Sequence, residues 1–270
     1  MNPSDEIGER YRAAQRIAAE AGTLALDYFR RFGSLNIDRK GHQDFVSEAD
    51  RNVEIAIRAA LSEAFPEDAI VGEEAAPRPG TSGFTWVIDP IDGTTNFIHG
   101  IPAWTVVLAG VRSGQTEIGV VHDPVHGEMH HACRGGGAFT NDRRINCTRG
   151  RSLREGSLGV GFSGRTTTEG ILKLITAILA EGGVFYRNAS GALSLAEVAA
   201  GKLLGYCEEH MNAWDCLAGQ LLVAEAGGRI EAQDADAMIA RGGRVVVACP
   251  DVFDHVLRLA DDAFGSRPPG

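Results

Sequence analysis

The chain has 270 residues, of which 44% are hydrophobic and 23% charged, as in ordinary soluble globular proteins. This composition excludes a disordered chain, and the length is that of one or two domains. The formal net charge of −10 argues against a protein that binds the nucleic-acid backbone, which needs clustered Lys and Arg. Small anionic substrates are compatible with this charge, because metal ions can supply the missing positive charge.

Targeting signals and cysteine spacing bear on the cellular compartment. The N-terminal sequence MNPSDEIGERYR lacks the basic and then apolar pattern of a signal peptide. No apolar run approaches the roughly 18 residues that a membrane-spanning helix needs. The five cysteines are odd in number and contain no CxxC pair, which disfavours a disulfide framework or a cysteine zinc site. We therefore expect reduced thiols, a cytoplasmic protein and no membrane partner.

The first half of the chain is predicted to form two helices followed by strands. Apolar residues three and four apart predict an amphipathic helix over 4–31 and a second helix over 47–64. Ser47 and Asp50 form a helix-start signal for the second of these. Short β-type runs separated by Gly, Pro, Asn and Asp then predict strands. These strands are expected at 69–71, 84–88, 104–111, 118–122 and 128–132.

The second half alternates between helical and strand patterns. Helices are predicted over 168–181, 190–200, 214–226 and 251–263, and strands over 203–207, 229–231 and 244–249. Helices first, then a mainly antiparallel block, then alternating elements are typical of a layered α+β fold. We treat 1–270 as a single unit, with a subdomain break near residue 150 as the alternative.

The stretch WVIDPIDGTTNF at 86–97 carries the most chemical information. A predicted strand ends at Asp89, and Asp92 follows three residues later. Carboxylates at strand ends suit hard cations such as Mg²⁺ and Ca²⁺, which take oxygen ligands. Gly93 would let backbone N–H groups approach an anion, and Thr94 and Thr95 add hydroxyls near a helix start. The alternative is an ordinary turn, since Asp-Pro and Asp-Gly are common turn pairs.

Three other acidic segments strengthen the metal hypothesis. Glu73 follows a short apolar run in GEE at 72–74, again a carboxylate leaving a strand. Asp215 opens a predicted helix, where a capping role is the alternative. DFVSEAD at 44–50 places two more acids around a helix start, where helix capping is again the alternative. Each segment has a structural explanation by itself, but their combination points to a site that binds divalent cations.

The segments DFVSEAD, GEE, WVIDPIDGTTNF and WDCLAGQLLVAEAGG, in this order and at these separations, resemble the inositol monophosphatase family. The resemblance extends from the first helix to VVVACP at 245–250. It implies a Mg²⁺-dependent, lithium-sensitive phosphomonoesterase, a homodimer, and an α-β-α-β-α sandwich of the inositol monophosphatase and fructose-1,6-bisphosphatase type. A break near residue 150 would then separate a metal and phosphate half, 1–150, from a substrate-rim half, 151–270.

The resemblance also implies a metal-ligand set with two to three Mg²⁺ ions per site. Glu73, Asp89 and the backbone carbonyl of Ile91 match the ligands of a first metal. Asp89, Asp92 and Asp215 match the ligands of a second metal, so that Asp89 would bridge the pair. A third, weaker metal would touch Glu73.

Catalytic and substrate-binding positions follow in the same way. Glu73 and Thr94, the latter with the acid at Asp50, match the groups that orient a nucleophilic water. Asp92 is placed with the substrate-binding groups, and the N–H groups of Gly93 and Thr94 match a phosphate cradle. The residues expected near the rest of the substrate are Ser190, Gly191, Glu208 and Lys40.

The chain departs from the common family pattern in its substrate region. Many relatives that act on inositol phosphates read G-[ST]-A-A-L where this chain has Ala189 to Leu193, with alanine at the first place and Gly191 at the third. We expect the segments 157–165 and 187–193 to line the mouth of the pocket. Glu208, Glu209 and the residues 210–212 predict an acidic, polar rim. Such a rim suits either a polyol or the ammonium group of histidinol phosphate.

The leading hypothesis is therefore hydrolysis of inositol 1-phosphate to inositol and phosphate by a metal-activated water. The alternatives are a phosphatase for histidinol phosphate, fructose 1,6-bisphosphate or a 3′-phosphonucleotide, and, more remotely, a non-catalytic partner-binding relative. We expect a small phosphorylated metabolite as the partner and no nucleic acid.

Overall fold

A computed structural model of the chain describes residues 3–31, 37–41, 44–150 and 152–265, with side chains at 6–31, 48–150 and 152–265. The α-helices among these residues are Pro3–Phe29 (α1), Glu48–Ala64 (α2), Thr94–Ile98 (α3), Thr168–Ala180 (α4), Gly191–Ala199 (α5), Ala213–Glu225 (α6), Ala235–Arg241 (α7) and Phe253–Phe264 (α8). No helix in this part of the chain combines the length and the apolar character that crossing a membrane requires.

The strands form two sheets and one hairpin. The larger sheet contains, in spatial order, Ala69–Gly72 (β3), Phe84–Asp92 (β4), Thr105–Arg112 (β5), Gln115–Asp123 (β6), Glu128–Cys133 (β7), Gly137–Thr140 (β8) and Arg143–Ile145 (β9). The hairpin pairs Ile37–Gly41 (β1) with Asp44–Ser47 (β2). The smaller sheet contains Ser157–Val160 (β10), Val184–Tyr186 (β11), Gly205–Met211 (β12), Arg229–Ile230 (β13) and Gly243–Ala248 (β14), in the spatial order β11-β10-β12-β14-β13.

Most strand pairs are antiparallel, and the parallel pairs lie next to the site. In the larger sheet β3 runs parallel to β4, and the remaining neighbours are antiparallel. In the smaller sheet β10 runs parallel to both β11 and β12. The carboxyl ends of β10, β11 and β12 therefore lie at the same end of the smaller sheet.

The elements stack in five layers, because each sheet buries apolar side chains on both faces. Trp86 and Ile88 of β4 pack with the first core, under α1 and α2, whereas Val87 between them belongs to the second core. This second core includes residues of α5 and α6, which lie between the two sheets, and of α4 and α8 on the far side of the smaller sheet. The order α1/α2, larger sheet, α5/α6, smaller sheet, α4/α8 confirms the predicted α-β-α-β-α sandwich.

The predicted elements are largely confirmed, but the short strands β8, β9, β10 and β11 were not predicted, and three further differences concern polar or short segments. The hairpin β1–β2 was not predicted, because its polar sequence pairs only with itself and shows no alternation. Helix α7 was not predicted either; it is short and begins at Asp234, whose side chain accepts a hydrogen bond from the N–H of Ala237. Strand β12 runs to Met211 instead of ending at residue 207, because its polar second half pairs with β14 across a register shift.

Candidate active site

Three carboxylates from separate elements converge at the end of the larger sheet. Parallel pairing of Gly72 with Ile88 sets the next residues, Glu73 and Asp89, side by side. Asp215 comes from the first turn of α6, which packs across the same sheet. Carboxylate oxygens of Glu73, Asp89 and Asp215 all lie within 4.8 Å of one another. The fold therefore brings together three side chains that offer only oxygen atoms.

The electrostatics of this cluster suit a cation. Burial raises the pKa of Asp89 well above its usual range, and the nearby charges of Glu73, Asp92 and Asp215 raise it further. Burial also raises the pKa of Asp215 to about 8. Buried like charges at such distances are unfavourable unless a proton or a metal ion compensates them. Because every donor is a carboxylate oxygen, the group fits Mg²⁺ or another hard cation better than a thiol- or imidazole-seeking metal.

A hydroxyl relay lies beside the cluster. The Oγ1 atom of Thr94 is 2.9 Å from Oδ1 of Asp50 and 3.1 Å from the carbonyl oxygen of Ile91. Asp50, in the first turn of α2, is buried. A threonine hydroxyl has one proton to donate and retains lone pairs as acceptors. If that proton points to Asp50, Thr94 can accept a hydrogen bond from a molecule in the site.

The backbone at Gly93 approaches its neighbours more closely than a side chain would permit. Gly93 has φ +102° and precedes α3, in the left-handed region that favours glycine. A Cβ atom there would lie 2.9 Å from the carbonyl oxygen of Ala103 and 3.3 Å from Cβ of Ser190. The N–H groups of the first helical turn that follows have no intrahelical acceptors. The predicted role of these N–H groups in binding phosphate stays a prediction.

Asp92 is held by the N-terminus of α5. Its Oδ2 atom accepts hydrogen bonds from the hydroxyl of Ser190, 2.5 Å away, and from the N–H of Ala192, 2.8 Å away. The N–H of Gly191 lies 3.3 Å from Oδ1. Asp92 is not in the group formed by Glu73, Asp89 and Asp215 within 4.8 Å. It therefore connects that cluster to the segment predicted to line the substrate pocket.

Glu208, in β12, lines a cavity together with Asp92 and Asp215. Tyr206 donates a hydrogen bond of 2.6 Å to Oε2 of Glu208, and both side chains are buried. Burial raises the pKa of Glu208 to about 7. A Cβ atom at Gly161 would collide with both Glu208 and the Tyr206 hydroxyl. The close pairing of these two side chains thus depends on a glycine at the end of β10.

The departures at 189 and 191 have structural consequences. Ala189 has φ +62°, so an alanine adopts a conformation that a glycine would adopt at lower cost. At Gly191 a Cβ atom would lie 2.5 Å from Cε of Met211, so Met211 occupies the space that an alanine side chain would need. Both residues line the cavity. The shape of the pocket in this chain therefore differs from that of a pocket with glycine at 189 and alanine at 191.

The rim differs from the predicted acidic surface. Glu208 and Met211 line the cavity, but Glu209 and His210 do not. Two arginines from the expected segments, Arg165 and Arg187, line it instead. The register shift between Glu208 and Met211 explains the first difference, because it interrupts the regular alternation of side chains along β12. The predicted substrate contact of Lys40 concerns a side chain outside the described residues.

Two positioning residues were not predicted. Glu54 of α2 is buried and accepts hydrogen bonds from the N–H groups of Glu74 and Ala75, which fixes the backbone next to Glu73. Asn96 donates to the carbonyls of Ala103 and Asn188, at 2.6 and 2.7 Å. A charged residue on the apolar face of the predicted second helix was the available signal for Glu54. Nothing local signals the bond from Asn96, whose partner Asn188 lies 92 residues further along the chain.

Alternating helix and sheet layers and a carboxylate cluster at the sheet end define the class: a layered α+β protein with a site suited to divalent cations. Comparison with known proteins then gives the family. The model of the inositol monophosphatase family matches residues 7–260, and the chain belongs to that family. The family is metal-dependent and acts on small phosphorylated substrates.

Individual relatives agree with this membership. The inositol-1-monophosphatase of Mesorhizobium japonicum is 39% identical over 93% of this chain and 95% of its own length. The Nus factor SuhB of Haemophilus influenzae is 32% identical over 99% of both chains. Among solved structures, the extragenic suppressor protein suhB of Bartonella henselae superimposes with a TM-score of 0.87 at 32% identity, covering 92% of this chain and 97% of that one. The Thermotoga maritima IMPase gives 0.84 at 29% identity, covering 94% and 97%.

Proposed function

We propose that this protein is a Mg²⁺-dependent phosphatase that hydrolyses a small-molecule phosphate monoester, with inositol 1-phosphate as the leading substrate. The observation that carries the proposal is the convergence of Glu73, Asp89 and Asp215 beside the Thr94–Asp50 hydrogen bond. A group of ligands and a proton acceptor at one place are what hydrolysis of a phosphate ester needs. The name of the Mesorhizobium relative, inositol-1-monophosphatase, supports the leading substrate.

The metal ligands in this proposal are the side chains of Glu73, Asp89, Asp92 and Asp215 and the carbonyl of Ile91, for two to three Mg²⁺ ions. When bound, Mg²⁺ would neutralise the phosphate dianion and make a water molecule a better nucleophile. The carbonyl of Ile91 lies 3.1 Å from the Thr94 hydroxyl, so the two candidate groups are neighbours. Asp92 would take part while it keeps its hydrogen bonds from α5.

The chain's own groups would orient the attack. Thr94 donates its proton to Oδ1 of Asp50 and accepts a hydrogen bond from the water through its own Oγ1 atom. Glu73 accepts the second hydrogen of that water and so fixes its direction toward phosphorus. The N–H groups of Gly93 and Thr94 would hold the phosphate oxygens. The role of the protein is thus positioning and charge, and no covalent enzyme intermediate is required.

The alcohol part of the substrate would lie between Asp92 and the Tyr206–Glu208 pair, beside Ser190 and Gly191. Histidinol phosphate, fructose 1,6-bisphosphate and a 3′-phosphonucleotide are the alternative substrates. Several relatives carry the name Nus factor SuhB, and the absence of a nucleic-acid partner stays a prediction for this chain. The free cysteines, four of them buried, agree with the proposed cytoplasmic location.

An edge of the smaller sheet supports the proposed homodimer. Val184, Phe185 and Tyr186 form the edge strand β11 and are 58%, 41% and 38% exposed. Leu172 and Leu179, one heptad apart on α4, are 60% and 53% exposed. Exposed apolar groups on an unpaired edge are typical of an interface. Sedimentation equilibrium should give a dimer for the wild type and a shift toward monomer for Phe185→Lys; an unchanged dimer would place the interface elsewhere.

The proposed activity is tested by phosphate release from the purified protein. Inositol 1-phosphate, histidinol phosphate, fructose 1,6-bisphosphate and a 3′-phosphonucleotide are compared at equal Mg²⁺, with EDTA as the blank. A preference of about tenfold in kcat/KM corresponds to about 1.4 kcal/mol and would identify the substrate class. Release that is equal with Mg²⁺ and with EDTA, or no release from any substrate, would refute the proposal.

A further inference from the structure

Two guanidinium groups line the cavity on the side of Glu208. Arg187 directly follows β11, and Arg165 lies in the loop after β10. Because β10 runs parallel to both β11 and β12, these two residues and Glu208 lie at the same end of the sheet. The carboxyl ends of parallel strands are where α/β sheets commonly bind ligands. The bond from Nη2 of Arg187 to the carbonyl of Phe162, 3.1 Å long, ties the two loops together.

Hydrogen-bond donors outnumber free acceptors in this part of the cavity. A guanidinium has five N–H donors and no acceptor. Arg187 uses one of them on Phe162, and Arg165 makes only an ion-pair contact of 3.9 Å with Asp215 among the described residues. The Oγ atom of Ser163, which also lines the cavity, is buried with no hydrogen-bond partner in the described part of the chain. Arg165 and Arg187 are exposed, so water can satisfy their free donors, and a ligand that brings acceptor atoms would replace that water.

Glu208, which lies near both arginines, is already engaged by Tyr206. Oε2 of Glu208 accepts the Tyr206 hydroxyl at 2.6 Å, and both arginines lie close enough to stabilise its charged form. Asp92 and Asp215 also line the cavity, and the proposed metal ions would compensate their charges. With metal bound, the two arginines would outweigh the single charge of Glu208. An ammonium group would therefore meet repulsion here, whereas an anionic oxygen would find bidentate donors.

We propose that Arg165, Arg187 and Ser163 form a subsite for a second anionic group, a phosphate or a carboxylate, on the alcohol part of the substrate. This inference rests on the proposed phosphatase function and specifies its substrate class. It favours doubly anionic esters over inositol 1-phosphate and disfavours histidinol phosphate. The competing role for Arg165 is to neutralise Asp215 until metal binds. Arg187 contacts no carboxylate among the described residues and has no such role.

Matched pairs of substrates test the subsite in the full-length protein with saturating Mg²⁺. Fructose 1,6-bisphosphate against fructose 1-phosphate measures a second phosphate, and 2-phosphoglycerate against glycerol 2-phosphate measures a carboxylate. Phosphoethanolamine supplies the cationic comparison. We expect the anionic member of at least one pair to have a kcat/KM about tenfold higher than its neutral partner, and phosphoethanolamine to be the poorest substrate. The pair with the larger ratio identifies the anion, and added NaCl should reduce that ratio through screening.

Variants then assign the preference to residues. Arg187→Gln should reduce the anionic-to-neutral ratio of kcat/KM about tenfold, and Arg165→Gln should reduce it similarly. Arg143→Gln, on an exposed position of the distant strand β9, is the matched control and should keep the wild-type ratio. A wild-type ratio near one in both pairs, or Arg187→Gln losses that are equal for both members of a pair, would overturn the subsite while Mg²⁺-dependent hydrolysis stands. An absence of hydrolysis of every substrate would overturn the phosphatase proposal itself.

Discussion

The carboxylate cluster and the arginine side of the cavity are built in opposite ways. Glu73, Asp89 and Asp215 place negative groups within 4.8 Å of one another, at a site that needs an added cation. Arg165 and Arg187 place positive groups around a carboxylate that already has a partner, at a site that needs an added anion. A substrate with a phosphate at one end and a second acidic group at the other complements both regions. The comparison suggests that one region supplies the chemistry and the other the choice of substrate.

The most damaging change to the carboxylate region should be Asp89→Asn. It replaces the buried carboxylate shared by both proposed metal sites with a neutral amide of nearly the same shape. We expect turnover to fall by about a thousandfold, as when a principal electrostatic group is removed from an active site. Steady-state phosphate release is the measurement, with circular dichroism to verify the fold. Asp262→Asn, on an exposed part of α8, is the control; near-normal turnover of Asp89→Asn would remove this residue from the metal site.

Bound Mg²⁺ should raise the thermal stability of the protein through the same region. Mg²⁺ at about one hundred times its dissociation constant should stabilise the protein by about 2.7 kcal/mol, provided that it binds only the folded state. For a chain of this size that corresponds to a rise in Tm of roughly 5–10 °C. Thermal unfolding in Mg²⁺ and in EDTA measures the difference. Equal Tm values in the two conditions would contradict a metal site at the cluster.

The pH dependence without metal has a definite sign. Burial raises the pKa of Asp215 to about 8, whereas the unfolded chain has the ordinary value of 3.8. Between these values the folded state binds more protons, so the stability of the metal-free protein falls as the pH rises from about 4 to 8. In EDTA the Tm should therefore fall between pH 7 and 8. This range lies above the one in which the buried His130 affects stability, from its folded pKa of about 4 to its ordinary value of 6.5. Asp215→Asn should flatten this slope, and a slope that survives the substitution would assign it to other groups.

The predictability of the two regions follows from how each is encoded. Asp89, Asp92, Gly93 and Thr94 lie within six consecutive residues, so a local motif reveals most of the metal and phosphate groups. Glu73 and Asp215 could be added because each directly follows or begins a predicted element. Their metal ligation remains a prediction, but their proximity in space is a property of the fold.

The arginine side could not be predicted to the same extent. Its residues come from three different strand ends, and their meeting depends on a strand order that the sequence does not display. Strand β10 and the exposed β11 are only four and three residues long, too short for a periodic pattern to emerge. The polar second half of β12 has no strand pattern in the sequence, and only its pairing with β14 identifies it as a strand. An acidic rim was therefore expected where the fold presents two guanidinium groups.

A substitution at Tyr206 would sharpen the comparison on the arginine side. Tyr206→Phe removes the donor to the buried Oε2 of Glu208 and leaves that carboxylate undersatisfied, which costs about 1–3 kcal/mol. We expect kcat/KM for inositol 1-phosphate to fall about tenfold relative to that for p-nitrophenyl phosphate, whose alcohol part offers no hydroxyls to Glu208. Tyr11→Phe, which removes a hydrogen bond to His131 on the other side of the larger sheet, is the control. Equal losses on both substrates would show that Tyr206 acts on the fold rather than on substrate binding.

The smallest effect is expected at Ala189, between the two regions. Its φ of +62° costs an alanine about 1–2 kcal/mol, and a glycine avoids this cost while it loses about 0.5–1 kcal/mol through its freer unfolded chain. Ala189→Gly should therefore stabilise the protein by up to about 1.5 kcal/mol, which raises Tm by up to roughly 3–6 °C. Ala224→Gly, on an exposed helical position of α6, should lower stability by about 1 kcal/mol and serves as the control. A Tm for Ala189→Gly that falls as it does for Ala224→Gly would show that Ala189 bears no strain.

The same variant also tests the pocket wall. Asn188 and Ser190, on either side of Ala189, are bonded to Asn96 and Asp92. If Ala189→Gly gains stability but loses selectivity between the paired substrates, the strained alanine holds the pocket wall in place.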